Sequence, residues 1–336
     1  VQTLTQYQYL DVDAILSGVA DWLVKESPIL GILPQKPIQG NSFKYNISLT
    51  LPAANWVATG QQLSESTGTF EQRSTDIFTL IQDALTDKGA IAMNSTQDPE
   101  LIDMQLAAQA MAHEWEKTFI HGQTTTGSTA KQFKGLLRMI AEFESASTTD
   151  LDGATAGGGG NNSQVLAANA TTGALSMALM DELIDMVKPG KPQLLLMSRL
   201  SRRRINALQR ASGNAGMQMG QSDLFGKFMD MYDGIPILVS DWLVDNVPDN
   251  DGSSVLAIAT YDYDAARSSG DNLNNSLIFA MKLGERDVQG LHSGQMAHER
   301  KDFTEDYNAI RNRLVWYPGL MCASKFSLAV LTGTSS

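Results

Sequence analysis

Between Phe43 and Leu51 apolar and polar side chains alternate, with Phe43, Tyr45, Ile47, Leu49 and Leu51 set against Lys44, Asn46, Ser48 and Thr50. A period of two sends the two sets to opposite faces of a strand. A second extended run, from about Thr69 to Ile81, follows a Gln-, Ser- and Thr-rich stretch between Gly60 and Gly68, so the pair predicts a long hairpin. Isolated two-stranded hairpins are marginal in water, and this one is expected to lie against its own domain or another subunit. The period then changes. From Asp98 to about Gly122, Leu101, Met104, Ala108, Met111, Trp115 and Phe119 recur at helical spacing and predict one apolar stripe, with Gln105, Gln109, Glu116 and Lys117 on polar faces. Asp98 suits the cap, Pro99 the first helical position, Glu100 the positive end and Gly122 the stop. Such a helix runs on the order of 37 Å, a length that spans a flat subunit rather than closing a compact bundle.

The rest of the chain is a mixture of helix and strand. Gly135-Leu136-Leu137 reads as a turn and a short apolar strand, and residues 145–162, with the Gly157 to Gly160 run, as a linker. A helix is predicted from about Thr172 to Val187, a stop at Lys188-Pro189-Gly190, a strand at Gln193 to Met197 and a second helix from Ser201 to Ala211. Strands follow at Leu224 to Tyr232, Ile235 to Ser240, Val255 to Thr260 and Ser276 to Leu283, and the segment Tyr307 to Thr332 is strand-rich. Asp233-Gly234 is a turn, since Gly accepts positive φ and Asp bonds its own backbone. The first 27 residues form an arm with a short amphipathic piece, Ile15, Val19, Trp22 and Leu23, whose apolar members call for a partner.

Composition narrows the function. With 336 residues and 43% hydrophobic content the chain can bury one or two cores. No run of about eighteen apolar residues is present to span a bilayer, and the polar opening lacks the basic and apolar regions of a signal peptide, so an intracellular origin and no membrane partner are expected. The formal net charge of -12 argues against a protein whose main work is gripping phosphate backbones. The cluster Arg199, Arg202, Arg203, Arg204 and Arg210 reads as a solvated helix face or a subunit contact. Cys322, the single cysteine, sits between Met321 and Ala323 and reads as a small buried hydrophobe.

A search for chemistry finds none. His113-Glu114 has no second His at metalloprotease spacing, His292 and His298 lie six apart in a Gly-containing loop, and His121 suits the negative end of the long helix. Gly290-Leu291-His292-Ser293-Gly294 displaces Ser from the centre of a nucleophile elbow, and Asp249-Asn250-Asp251-Gly252 lacks the Glu of a calcium loop. The Gly157 to Gly160 run has no Gly-Lys-Ser/Thr ending. Asp262 and Asp264 alternate with Tyr261 and Tyr263 without marking an acid and a base. No catalytic residue, cofactor or metal is expected, and the chain is read as no enzyme.

The order of these features resembles the major capsid protein of tailed bacteriophages, the Hong Kong 97 fold. Trp56-Val57-Ala58-Thr59-Gly60 through Phe70 is similar to the family's extended loop, and Trp115 to Gly122 followed by Gly135-Leu136-Leu137 to the end of its spine helix and the next turn. Asp233 to Ser240 resembles the mid-domain strand pair, and Arg313 to Leu320 the closing strand. The resemblance implies an α+β subunit with an N-terminal arm at 1–39, an extended β-hairpin loop at 40–82, a peripheral domain with the spine helix at 83–164, an axial domain at 165–300 and peripheral C-terminal strands at 301–336.

It further implies self-assembly as pentamers and hexamers into the icosahedral head around a tailed phage's double-stranded DNA, held without sequence-specific binding. Localisation would be the virion capsid, assembled in the host cytoplasm, with room for a cement or decoration protein. Phe43, Tyr45, Trp56, Phe70 and Trp22 are the expected intersubunit contacts. An encapsulin-like nanocompartment shell shares the implied fold, and an α/β enzyme is the remaining alternative. Some family members join an extended-loop Lys to a peripheral Asn with a nearby Glu as base. Asn312 and Lys44 hold comparable places, but no carboxylate lies between Leu314 and Met321, so an unlinked shell is expected.

Overall fold

The computed structural model describes residues 27–50, 52–62, 65–93, 98–122, 131–144, 163–168, 174–211, 221–224, 227–243, 245, 276–294, 297–302 and 307–334. In chain order it comprises α1 (Pro28–Ile32), β1 (Gln35–Pro37), β2 (Ser42–Thr50), β3 (Thr69–Asp76), β4 (Leu80–Asp87), α2 (Lys88–Met93), α3 (Pro99–His121) and α4 (Leu136–Glu144). Then come β5 (Val165–Ala167), α5 (Met177–Met186), β6 (Leu194–Met197), α6 (Arg199–Ala211), β7 (Gln221–Leu224), β8 (Lys227–Tyr232) and β9 (Ile235–Val239). The chain closes with β10 (Ser276–Met281), β11 (Val288–His292), β12 (Ala297–Lys301), β13 (Ala309–Trp316), β14 (Pro318–Cys322) and β15 (Leu328–Thr334). The arm before residue 27, the linker 145–162 and the strand expected at Val255 to Thr260 lie outside the described residues.

A seven-stranded sheet, ordered β5-β15-β10-β6-β9-β8-β7, organises the larger part of the subunit. Its central strands read as unbroken apolar runs because both faces are covered. On one face Leu194, Leu196, Leu277, Phe279, Met281, Leu328 and Val330 join a core with Trp115 and Phe119 of α3 and Leu136, Leu137 and Ile140 of α4. On the other, Leu195, Met197, Ile278, Ala280, Ala329 and Leu331 meet Met180, Leu183 and Ile184 of α5 and Ile205 of α6. The hairpin β8–β9 turns through Asp233 (φ 49°) and Gly234 (φ 79°), the pair of left-handed residues that a tight two-residue turn requires. β15 runs inside this sheet against β10 and β5, where its apolar run has two dry faces.

A second, three-stranded sheet, β12-β13-β4, lies along α3. A third, β1-β11-β14, brings the segment just after α1 onto β11 in parallel. The hairpin β2–β3 is a separate two-stranded sheet. The extended run expected as one strand from Thr69 to Ile81 therefore divides. β3 pairs with β2, the chain breaks at 77–79, and β4 pairs with β13, a distant partner that a local pattern cannot announce.

The long helix forms with its expected ends. Asp98 accepts the Glu100 N–H at 3.0 Å, and Pro99 opens the helix. Its buried stripe is rotated from the expected one in the first half: Asp103, Ala107 and Met111 face inward, while Leu101 is 50% exposed and Ala108 is exposed. The cause is Thr86 on β4, whose hydroxyl donates to Asp103 Oδ2 at 2.7 Å and fixes a polar residue on the packed side. Glu116, expected on a polar face, is buried and accepts from the Ser240 hydroxyl at 2.6 Å. Gly135-Leu136-Leu137 begins a helix instead of a strand. Gly135 donates to the Gly122 carbonyl at 2.9 Å, and a Cβ on Gly122 would stand 2.2 Å from the Phe133 carbonyl oxygen, so the two glycines let the ends of the intervening loop touch. The helix expected from Thr172 starts at Met177, capped by Ser176. The one expected from Ser201 starts at Arg199, and the strand expected over Leu224 to Tyr232 is two antiparallel strands, β7 and β8. No helix among the described residues is long and apolar enough to cross a membrane.

Candidate intersubunit surface

The hairpin divides into a fastened base and a bare tip. Phe43 and Tyr45 lie two apart on one face of β2 and stack with ring centroids 6.4 Å apart, and the Lys36 ammonium lies 5.2 Å from the Phe43 centroid. Both rings are half-buried, and burial pushes the Tyr45 phenol up to about 12. Opposite Tyr45, Arg73 donates from Nη2 to the Phe143 carbonyl at 3.1 Å, at the end of α4. Thr75 donates to the Leu320 carbonyl on β14 at 3.0 Å. Ile77 donates to the Asn41 carbonyl at 2.8 Å and Phe78 to the Pro318 carbonyl at 3.2 Å, which closes the base.

Beyond this base little packs. Trp56 is fully exposed, Phe70 is 78% exposed and Val57 is 38% exposed. Of the five expected contact residues, the structure places Trp56 and Phe70 in solvent and Phe43 and Tyr45 against their own subunit's hairpin base; Trp22 lies outside the described residues. Exposed apolar side chains also occur beside the long helix. Leu101, Leu106 and Ile81 are all at least 40% exposed, and Leu106 lines a groove of about 360 Å³ with Ala107, Ala110, Leu85 and Asp83 between α3 and β4.

The start of α3 is locked to the neighbouring sheet by charge. Arg300 on β12 grips Glu100 with two bonds, Nε to Oε1 at 2.6 Å and Nη2 to Oε2 at 3.1 Å. Glu100 Oε1 also accepts from Asn312 Nδ2 at 2.9 Å, and His298 Nε2 meets Asn312 Oδ1 at 3.0 Å. The Arg300 bond holds the Glu100 carboxyl below its ordinary range. The segment from Leu314 to Met321 holds no carboxylate, as expected, yet Asn312 has one beside it. It arrives from α3, more than two hundred residues away in sequence, and is engaged in an ion pair. Lys44 stands on β2, paired with Ser74, in a different sheet from Asn312. Asp83 takes a matching two-pronged bond from Arg313, at 2.7 and 2.8 Å.

The other histidines and the cysteine make contacts within the subunit. His121 is buried with Nε2 at 3.0 Å from the Trp242 carbonyl, to which the neutral ring donates, and its Nδ1 is buried without a partner among the described residues. Burial lowers its pKa to about 4. His113 packs its ring 5.7 Å from Trp242, and His292 Nδ1 meets the Gly294 carbonyl. Cys322 is buried, and burial pushes its thiol up to about 12, which keeps it protonated and unreactive. The Asp249 and Asp262 motifs lie outside the described residues.

Solved structures share this architecture. The holo-SrpI encapsulin complex from Synechococcus elongatus matches with a TM-score of 0.61 at 14% identity, over 92% of this chain and 88% of that one. The capsid of a native GTA particle matches with 0.57 at 14% identity, over 90% and 89%. Mycobacterium phage Adephagia matches with 0.57 at 13%, over 91% and 89%. At these identities the likeness establishes the fold, an α+β capsid fold of the Hong Kong 97 type. No curated protein matches the sequence. The model of the phage capsid family matches residues 9–269, most of the chain, and the protein belongs to that family.

Proposed function

We propose that the chain is the major capsid protein of a tailed phage, self-assembling as pentamers and hexamers into the icosahedral head that encloses double-stranded DNA. The observation that carries this reading is the hairpin whose base is bonded into the subunit while Trp56 and Phe70 stand in solvent at its far end. Exposed large apolar side chains on a projecting element mark a surface that another molecule covers, and a neighbouring copy is the partner that a shell supplies. Trp22, carried on the arm, is assigned a similar role. In this reading 40–82 is the extended loop, the sheet beside α3 belongs to the peripheral domain, and α5 and α6 belong to the axial domain. The net charge of -12 suits a wall that confines DNA without adhering to it. The role is structural, with no catalytic step, and its place is the virion, assembled in the host cytoplasm, with a cement or decoration protein able to bind outside.

Negative-stain imaging of the purified protein tests this. Closed icosahedral particles are expected, and particles from infected cells should protect double-stranded DNA from nuclease. Sedimentation as monomer or dimer under every assembly condition would overturn the reading. A second reading, an encapsulin-like compartment, is favoured by the likeness to the encapsulin complex; particles that enclose a folded protein and no nucleic acid would select it.

A further inference from the structure

Two helices on one face of the seven-stranded sheet carry opposite charge outward. α5 buries Met180, Leu183 and Ile184 and exposes Ala178, Asp181, Glu182 and Asp185. α6 buries Ser201 and Ile205 and exposes Arg202, Arg203, Ala207 and Arg210. Ala178 to Asp185 and Arg203 to Arg210 each cover about two turns, roughly 10 Å of helix, so the two faces match in length. Asp181 accepts from the Tyr232 hydroxyl at 2.7 Å and Arg202 lies 3.4 Å from Asp230. Glu182, Asp185, Arg203 and Arg210 have no partner among the described residues, and no ion pair there joins α5 to α6 within the chain.

Beside this face, the terminal guanidinium nitrogens of Arg204 are shielded from solvent without a hydrogen-bond acceptor among the described residues, and the Asp245 charge acts on the group. Its pKa is lowered, chiefly by burial. A shielded donor pair left unpaired is costly, and a guanidinium fork fits a carboxylate with two parallel bonds. Unmatched cations on one helix and unmatched carboxylates on another are what a heterologous contact requires, in which one patch of a copy meets a different patch of the next.

We propose that the α6 arginine face docks on the α5 carboxylate face of a second copy of this chain, forming a head-to-tail seam that repeats round a closed ring. Arg203 and Arg210 meet Glu182 and Asp185, and Ala207 and Ala178 allow the helices close approach. The seam rests on the shell reading above. A nucleic acid is the poorer occupant, because the same subunit surface presents free carboxylates that would repel phosphate.

The test uses the full chain. Ala178→Cys and Ala207→Cys together, oxidised mildly in assembled particles, should give a ladder on non-reducing gels that ends at the ring size, while neither single variant gives one; the buried Cys322 stays silent. Arg203→Glu with Arg210→Glu should cut particle yield about tenfold or more, as should Glu182→Lys with Asp185→Lys, and combining all four should restore most of it. Normal particles with no ladder, or swaps without mutual rescue, overturn the seam and leave the shell reading standing. Wild-type protein that never assembles overturns the shell reading itself. Arginine variants that assemble but lose nucleic acid, beside carboxylate variants with no effect, would assign the arginine face to nucleic acid and also overturn the seam.

Discussion

The hairpin β2–β3 and the central strands β6, β10 and β15 are both built from β-structure rich in apolar residues, and they use it oppositely. In the central strands every residue from Leu194 to Met197 and from Ser276 to Met281 is buried, and successive side chains enter two different cores. In the hairpin, β3 is mostly exposed, with Thr75 as its buried residue, and Phe70 projects. An unbroken apolar run closes a subunit on itself. An alternating run with a large ring left in solvent keeps that area out of the subunit's own core.

The sharpest way to break the contrast is to damage each region and ask which property fails. Phe279→Ala empties a site with no exposure and should lower subunit stability by about 3–5 kcal/mol in chemical denaturation, leaving little soluble protein to assemble. Trp56→Ala should leave the unfolding midpoint of the unassembled subunit unchanged to within about 0.5 kcal/mol. Its cost should fall on assembly, at about 2 kcal/mol or more per contact if the ring anchors a neighbour. Normal particle yield and heat resistance in that variant would refute the contact role.

A third experiment separates folding from assembly by pH. His121 has a folded pKa of about 4 against an ordinary 6.5, so on acidification the unfolded chain takes up the proton first. Its contribution is complete above pH 6.5 and is lost as pH falls toward 4, with a slope of at most about 1.4 kcal/mol per pH unit. Glu116, whose pKa burial raises, acts in the opposite sense above its ordinary 4.5. Comparing wild type with His121→Gln in the same buffers isolates the histidine: the variant should lose the slope between pH 6.5 and 4. An unchanged slope would sink this assignment.

The smallest effect concerns covalent linkage. Boiled denaturing gels of mature particles should show one band at the monomer position, about 36 kDa. Lys44 stands on β2, in a different sheet from Asn312. Glu100, beside Asn312, is held ionised and engaged by Arg300. A ladder that survives boiling would contradict this and make Lys44 and Asn312 the first residues to mutate.

What could be read in advance was what is written locally. The ends of α3 depend on Asp98, Pro99 and Gly122 alone, and the turn at Asp233-Gly234 on two residues, so both were legible. The inward face of α3 depends on Thr86 across from Asp103, and the division of the second extended run depends on β13, more than two hundred residues later. Neither leaves a local trace. The helix α4 did leave one: Leu136, Leu137, Ile140 and Ala141 recur at helical spacing, and Arg138 pairs with Glu142 at i, i+4 at 2.6 Å. A three-residue apolar fragment was too short to expose that period. The exposure of Trp56 and Phe70 follows from a Gln-, Ser- and Thr-rich stretch that offers them little to pack against. The network of Glu100, Arg300, Asn312 and His298 was not legible, since its members come from three separate elements.

The break at 77–79 also sets a mechanical path. Tension applied at the hairpin tip travels down β3, crosses the Ile77 and Phe78 bonds and enters β4 at Leu80, the rung that faces Trp316. That indole lies 5.9 Å from the Trp115 ring on α3. Load on the tip is therefore handed through a ring contact to the long helix rather than left at a loose edge of the sheet.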